Sequence, residues 1–292
     1  MHQQPAPATP DGHREGRASV SATQLASVLA AALALGAASG APSHPTDDDL
    51  VYFRALNPRF AKLDLGGLAR LERLELNIRA LDDDGFARVE RLTGLTHLTL
   101  DASGVTNEGL AHLKPLSRLT FLSLDATRIG DAGLANLARL PGLKLLALND
   151  TKVGDLGVAR LKAIPGLQYL YLSGTKVTDT GMATLADLSE LRSLYLAGTW
   201  ITDKGVARLG RLKKLDTLSL HNTFVSDAGL AELKALTELE TLILSSTHVT
   251  DAGLEHLAGM KKLREIHVNK SRVTAKGIEQ LKAARPALTI FR

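Results

Sequence analysis

Between Ala69 and Ala284 the apolar and polar residues follow one 24-residue rhythm, repeated nine times without insertion or deletion. A middle copy, residues 165–188, reads PGLQYLYLSGTKVTDTGMATLADL. Counted from Pro165 as position 1, apolar residues fall at positions 3, 6, 8, 13, 18, 21 and 24: Leu167, Leu170, Leu172, Val177, Met182, Leu185 and Leu188. Position 3 is leucine in every copy (Leu71, Leu95, Leu119, Leu143, Leu167, Leu191, Leu215, Leu239, Leu263). The alternation at positions 6 and 8 predicts a short strand, and positions 18 and 21 behind a glycine predict one or two helical turns. A period of this length is the signature of a solenoid.

One copy cannot stand alone. Its seven apolar side chains bury too little to offset the ordering of its backbone, which costs about 1–2 kcal/mol per residue. Stacking resolves this, because each coil buries its faces against its neighbours and the strands join into a parallel sheet.

The spacing Leu-x-x-Leu-x-Leu-x-x-Thr-x-Val, as in Leu167 to Val177, resembles the leucine-rich repeat family across all nine copies. Position 11, usually Asn or Cys in that family, is here Thr or Ser (Ser103, Thr127, Thr151, Thr175, Thr199, Thr223, Thr247, Ser271), with Arg79 in the first copy. A hydroxyl can still bond the turn backbone, so a variant ladder is expected. The second half, such as Val-Thr-Asp-Ala-Gly-Leu at 249–254, is similar to the cysteine-containing subclass of F-box proteins and of bacterial "GALA" repeat proteins, with Thr in place of Cys. The resemblance implies an α/β leucine-rich repeat solenoid, a right-handed horseshoe with a parallel β-sheet on its concave face and short helices on its convex face. It also implies recognition of protein partners.

Thr or Ser at position 14 and Asp at position 15 (Thr178 and Asp179, Thr202 and Asp203, Ser226 and Asp227, Thr250 and Asp251) stand where a helix begins, so capping of the free amides is expected of them. A stack of carboxylates invites a calcium site, but the ligand-dense Asp-x-Asp loops such sites use are missing. Glycine fills position 17 in all nine copies, from Gly85 to Gly277, where the helix side must approach its neighbour closely.

The flanks differ from the array. Residues 1–24 are rich in Pro, Ala, Ser and Thr, and disorder is expected. The apolar stretch Leu25–Ala38, followed by small residues up to Pro42, reads as a secretory signal cleaved near Ala38 or Gly40. It is short of the roughly 20 apolar residues of a membrane span. An uncleaved anchor and an Ala-rich helix without a targeting role stay open, and membrane association follows only if the stretch is uncleaved. The protein is therefore expected to be exported (periplasmic, cell-surface or secreted), with the cytoplasm as the alternative. Residues 42–68 are expected to cap the first coil, through a short helix behind Asp47, Asp48 and Asp49 and the bulk of Tyr52, Phe53 and Phe60. Residues 285–292 are expected to add a terminal strand.

Composition narrows the function. There is no cysteine, hence no disulfide framework and no thiolate metal site. The net charge of +4 comes from Lys and Arg interleaved with Asp and Glu, which argues against nucleic acid as a partner. No phosphate-cradling glycine loop, nucleophile elbow or zinc helix is present, so no catalytic residue, cofactor or metal is assigned and no enzyme activity is expected. His221, His248 and His267 lie in consecutive copies at positions 9, 12 and 7, which suits solvated histidines better than a ligand set.

Positions 5, 7 and 9 should face outward on the sheet, with positions 10 and 12 on its rim. Along the array this face begins acidic, with Asp101, Asp125 and Asp150, and carries Arg128, Lys152 and Lys176 on the rim. It then turns aromatic, with Phe121 leading into Tyr169, Tyr171, Tyr195, Trp200 and Phe224. Clustered outward rings in a charged surround mark an interaction site. The expected function is a non-catalytic module that recognises a protein partner through this face. One alternative is an intracellular adaptor of F-box type or an effector mimic, although residues 42–68 are too few for the roughly forty-residue F-box that the family resemblance would require. Another is a carbohydrate-binding surface, and the plain alternative is rings that only strengthen the sheet.

Overall fold

The computed structural model of the protein describes residues 44–292. The apolar stretch Leu25–Ala38 lies outside the described residues. Ten three-residue strands form one parallel sheet in chain order: β1 (Arg73–Glu75), β2 (His97–Thr99), β3 (Phe121–Ser123), β4 (Leu145–Ala147), β5 (Tyr169–Tyr171), β6 (Ser193–Tyr195), β7 (Thr217–Ser219), β8 (Thr241–Ile243), β9 (Glu265–His267) and β10 (Thr289–Phe291). Each strand residue pairs with the residue one repeat on, as Leu146 with Leu170 and Tyr171 with Tyr195. The register is fixed because a slip by one residue would turn the buried leucines of positions 6 and 8 to solvent. Leu170 and Leu172 are fully buried, as are Val177, Met182 and Leu185 on the opposite wall of the same coil. The fold is a leucine-rich repeat solenoid with the parallel sheet on one face and short helices on the other.

After each strand from β2 to β9 the chain turns through a left-handed residue at position 10: Ala102, Ala126, Asp150, Gly174, Gly198, Asn222, Ser246 and Lys270, with φ between 51° and 67°. The buried hydroxyl at position 11 then closes the turn. Thr127, Thr151, Thr175, Thr199, Thr223 and Thr247 each donate to the carbonyl of the position-8 leucine three residues back, at 2.6–2.7 Å. Thr thus does the bonding that the expected ladder requires.

The helix face corrects one expectation. Thr178 and Thr202 do cap their own helices, accepting from Thr180 and Lys204 at 3.2 Å. The carboxylate at position 15 instead reaches forward to the next coil. Asp155 Oδ1 accepts from the amides of Thr178 and Gly181 at 2.9 and 3.0 Å, and its Oδ2 accepts from the Thr178 hydroxyl at 2.6 Å. The same clamp recurs from Asp83 to Thr106, Asp179 to Thr202, Asp203 to Ser226, Asp227 to Thr250 and Asp251 to Thr274. The physical reason is that the unpaired donors at the start of the following helix offer the carboxylate two or three hydrogen bonds at once. Glycine at position 17 makes room for it: a Cβ on Gly181 would sit 2.5 Å from Asp155 Oδ1. Where position 14 is Gly130 or Gly154, only the amide is left to donate, to Asn107 and Asp131 at 2.8 and 2.7 Å.

The ends are closed by charge and bulk. Helix Asp47–Leu56 begins with a capping box in which the Thr46 amide and hydroxyl donate to Asp49 Oδ2 at 2.9 and 2.8 Å. Asp49 is fully buried and also accepts from Arg88 and Arg91 of the first coil at 3.1 and 2.7 Å, while Phe53 and Tyr52 are buried in the same core as that coil's leucines. At the other end Arg285 donates to the carbonyls of Met260, Lys261 and Leu263.

Candidate functional site

Alternation along each strand leaves positions 5 and 7 on the outer side of the sheet, and the structure sorts the expected recognition residues into three groups. The first is a ridge on the sheet face. Phe121 in β3 stacks on His97 in β2 with centroids 5.5 Å apart, and the ridge continues through Leu145 in β4 to Tyr169 in β5. At β5 it crosses from position 5 to position 7, where Tyr171 meets Tyr195 edge-on at 4.8 Å. These rings are half-buried. Burial, the other two tyrosines and Asp125 push the Tyr171 hydroxyl up to about 12, and burial raises Tyr195 as well, so both remain neutral donors. Beside the ridge the small residues Ser123 and Ala147 form a buried floor.

The second group is acidic and is tied into the fold. Asp101 accepts from the Asp125 amide at 3.0 Å and from the Ser123 hydroxyl at 2.5 Å. Asp125 accepts from the Asn149 amide at 2.7 Å and from its side chain at 3.0 Å, and Asn149 accepts from the Ser173 amide at 2.9 Å. Position 9 is therefore a side-chain ladder that satisfies amides at the strand ends. Half-burial raises both carboxyls above the usual aspartate range. Asp150 is exposed, on a left-handed residue with φ of 55°.

The third group is the rim at position 12. Trp200 and Phe224 stack with centroids 5.9 Å apart and remain 64% and 50% exposed, well above the half-buried tyrosines. His248 extends the row, its ring 6.3 Å from Phe224. This histidine was not among the expected partner-binding residues, and the signal for it was its sharing of position 12 with the two rings. The structure does not bring His221, His248 and His267 together. His267 pairs with Glu265 at 2.5 Å and stacks on Phe291 at 4.5 Å. Among the described residues no group of three His, Cys, Asp or Glu could hold a metal ion, and no helix is long and apolar enough to cross a membrane.

Comparison with known proteins places these features in context. The family model described as "Leucine Rich repeat" matches residues 166–186, 189–210 and 235–258. The structure is similar to that of an internalin from Listeria monocytogenes, with 19% identity, a TM-score of 0.53, and 70% of this chain and 69% of that one covered. It is similar also to internalin C2 from Listeria monocytogenes, with 26% identity, a TM-score of 0.55, and 72% of this chain and 82% of that one covered. No curated protein matches the sequence.

Proposed function

We propose that the chain is a non-catalytic recognition module, working outside the cytoplasm, that binds a protein partner across the ring-bearing sheet face and its rim. Leucine-rich repeat arrays typically mediate protein–protein interaction, and the repeats and the internalin-like fold support that class of function here. The observation that carries the reading is the exposed stack of Trp200 on Phe224 beside the half-buried Tyr171 and Tyr195. Rings that protrude from the surface offer large apolar area at small entropic cost, and such side chains dominate interface energetics. Tyr169 and Phe121 extend the same face, and Asp150 adds exposed charge at its edge.

The test replaces Tyr171, Tyr195 and Trp200 together with Ser. Partner capture by cross-linking from source cells should be abolished while the circular dichroism spectrum and cooperative unfolding are retained. Capture that survives with all three rings removed overturns the reading. N-terminal sequencing of the fractionated protein tests export separately.

A further inference from the structure

The position-12 row is held as a row by the backbone. The amides of Lys152, Lys176, Trp200, Phe224 and His248 each donate to the position-13 carbonyl of the preceding coil, at 2.8–3.2 Å. Four isolated parallel bridges, from Gly130 with Lys152 to Thr202 with Phe224, mark the same seam. Successive side chains therefore stand one coil apart along the solenoid axis, on the order of 4.8 Å. The row is divided by type: Arg128, Lys152 and Lys176 come first, and Trp200, Phe224 and His248 follow. All six are exposed, and Arg272 closes the row with one more cation.

Among the described residues the cations at this rim form no ion pair, whereas some cations elsewhere on the surface do. On other parts of the surface Lys162, Lys214 and Lys262 are paired with Asp187, Glu190 and Glu238. Among the described residues no carboxylate lies within 4.0 Å of the charged groups of Arg128, Lys152 or Lys176. The neighbouring Asp131 and Asp155 face the next coil, where they accept its amides. Three aligned cations with no ion-pair partner, with Asp150 the exposed carboxylate beside them, suit an anionic ligand, and two exposed rings in the same line suit an apolar one.

We propose that this row takes an extended segment of the protein partner, acidic over one half and apolar over the other, lying across the strands along the solenoid axis. The inference rests on the reading of the chain as a protein-binding module and names the chemistry that the partner must present. Length agrees: the four steps from Arg128 to Phe224 span about 19 Å, which roughly six residues of extended chain at about 3.4 Å each would cover. Segregation of charge from rings favours a peptide over a uniform polyanion, whose anions would meet no cation along Trp200, Phe224 and His248. Intercalating bases are disfavoured too, since the rings already stack on each other at 5.9 and 6.3 Å.

The test uses the full chain and eight-residue synthetic peptides blocked at both ends. One carries four acidic residues followed by four apolar ones, a second has the blocks in reverse order, and a third alternates the same residues. Binding is read by fluorescence anisotropy at low and physiological salt, with a sulfated hexasaccharide and an oligothymidylate as competing probes. One of the two block peptides should bind at least about fivefold tighter than the alternating one. Arg128→Glu with Lys152→Glu and Lys176→Glu should weaken that peptide roughly tenfold and flatten its salt dependence. Trp200→Ser with Phe224→Ser should weaken it about as much while the salt dependence persists. Equal binding of the alternating peptide, indifference to either variant, or tighter binding of the hexasaccharide or oligothymidylate overturns the proposal. Tyr171→Ser with Tyr195→Ser tests the sheet face separately in partner capture from cells, and Lys162→Ala with Lys214→Ala, on another part of the surface, should leave peptide binding unchanged. If the tyrosine variant loses partner capture from cells and the rim variants keep it, the protein-binding reading stands and this one fails.

Discussion

Asp125 and Trp200 both lie on the outward side of the same array, one at the end of a strand and the other past the turn that follows, yet they belong to different economies of the molecule. The carboxylate of Asp125 is half-buried and accepts two hydrogen bonds from the next coil, whereas Trp200 leaves nearly two-thirds of its surface in water and touches a ring of its own kind. Position in the repeat decides the difference. Side chains at position 15, and at position 9 in the first four coils, meet the unpaired amides of the following coil and hold it, while those at position 12 are aligned by their backbone and touch only their neighbours in the row. Substitutions in the first kind of row should cost stability, and those in the second should cost recognition.

The sharpest way to break this division is Gly181→Ala. The new Cβ would stand 2.5 Å from Asp155 Oδ1, displacing a carboxylate that holds Thr178 by amide and hydroxyl. A loss of about 2–4 kcal/mol is expected in urea unfolding; a loss below 0.5 kcal/mol would show that the clamp is dispensable. Asp125→Ala comes next, at about 1–2 kcal/mol, because it leaves the Asn149 amide unpaired. Asp125→Asn separates charge from hydrogen bonding, since Asn149 already serves as an acceptor in the same ladder. The folded carboxyl of Asp125 is raised by burial, so the folded state binds its proton more readily than the unfolded chain does. Its charge therefore costs stability above its folded pKa, and that cost fades as pH falls towards the unfolded value. Asp125→Asn should be neutral or stabilising by up to about 1 kcal/mol at neutral pH. That advantage should shrink on acidification, as thermal unfolding across pH would show.

Smaller effects sharpen the comparison. Ala126 holds φ at 55°, where Gly174 and Gly198 stand in later coils. Ala126→Gly should then stabilise by roughly 0.5–1 kcal/mol, the left-handed penalty outweighing the entropy of glycine. Trp200→Ser should change stability least, within about 0.5 kcal/mol, for a residue already 64% exposed.

The core was fully legible in the sequence. Leu170, Leu172 and Val177 are buried at the positions that the apolar rhythm marks, because burial in a solenoid repeats with the chain. The outward placement of Trp200 and Phe224 was legible for the same reason. The roles of the aspartates were not. Local rules tie Asp155 to the helix it begins, whereas its partners Thr178 and Gly181 lie a full coil away. The ladder at Asp101 and Asp125 was hidden likewise, since an outward acidic residue looks the same whether it waits for a partner or already serves the next strand. His248 escaped because a histidine is weighed first as a ligand, and its stacking on Phe224 follows only from their common position.

Along the helix side the position-15 Oδ1 accepts from the position-14 amide of the next coil at every joint from the first repeat to the ninth, so each coil meets the next by the same atoms. Coils are consequently interchangeable parts: excising or duplicating one whole unit keeps all joints intact and merely shortens or lengthens the outer rows by a letter. Removal of 23 residues instead would misalign every joint downstream. Specificity in such a molecule can be rewritten by shuffling whole coils, with no redesign of the interior.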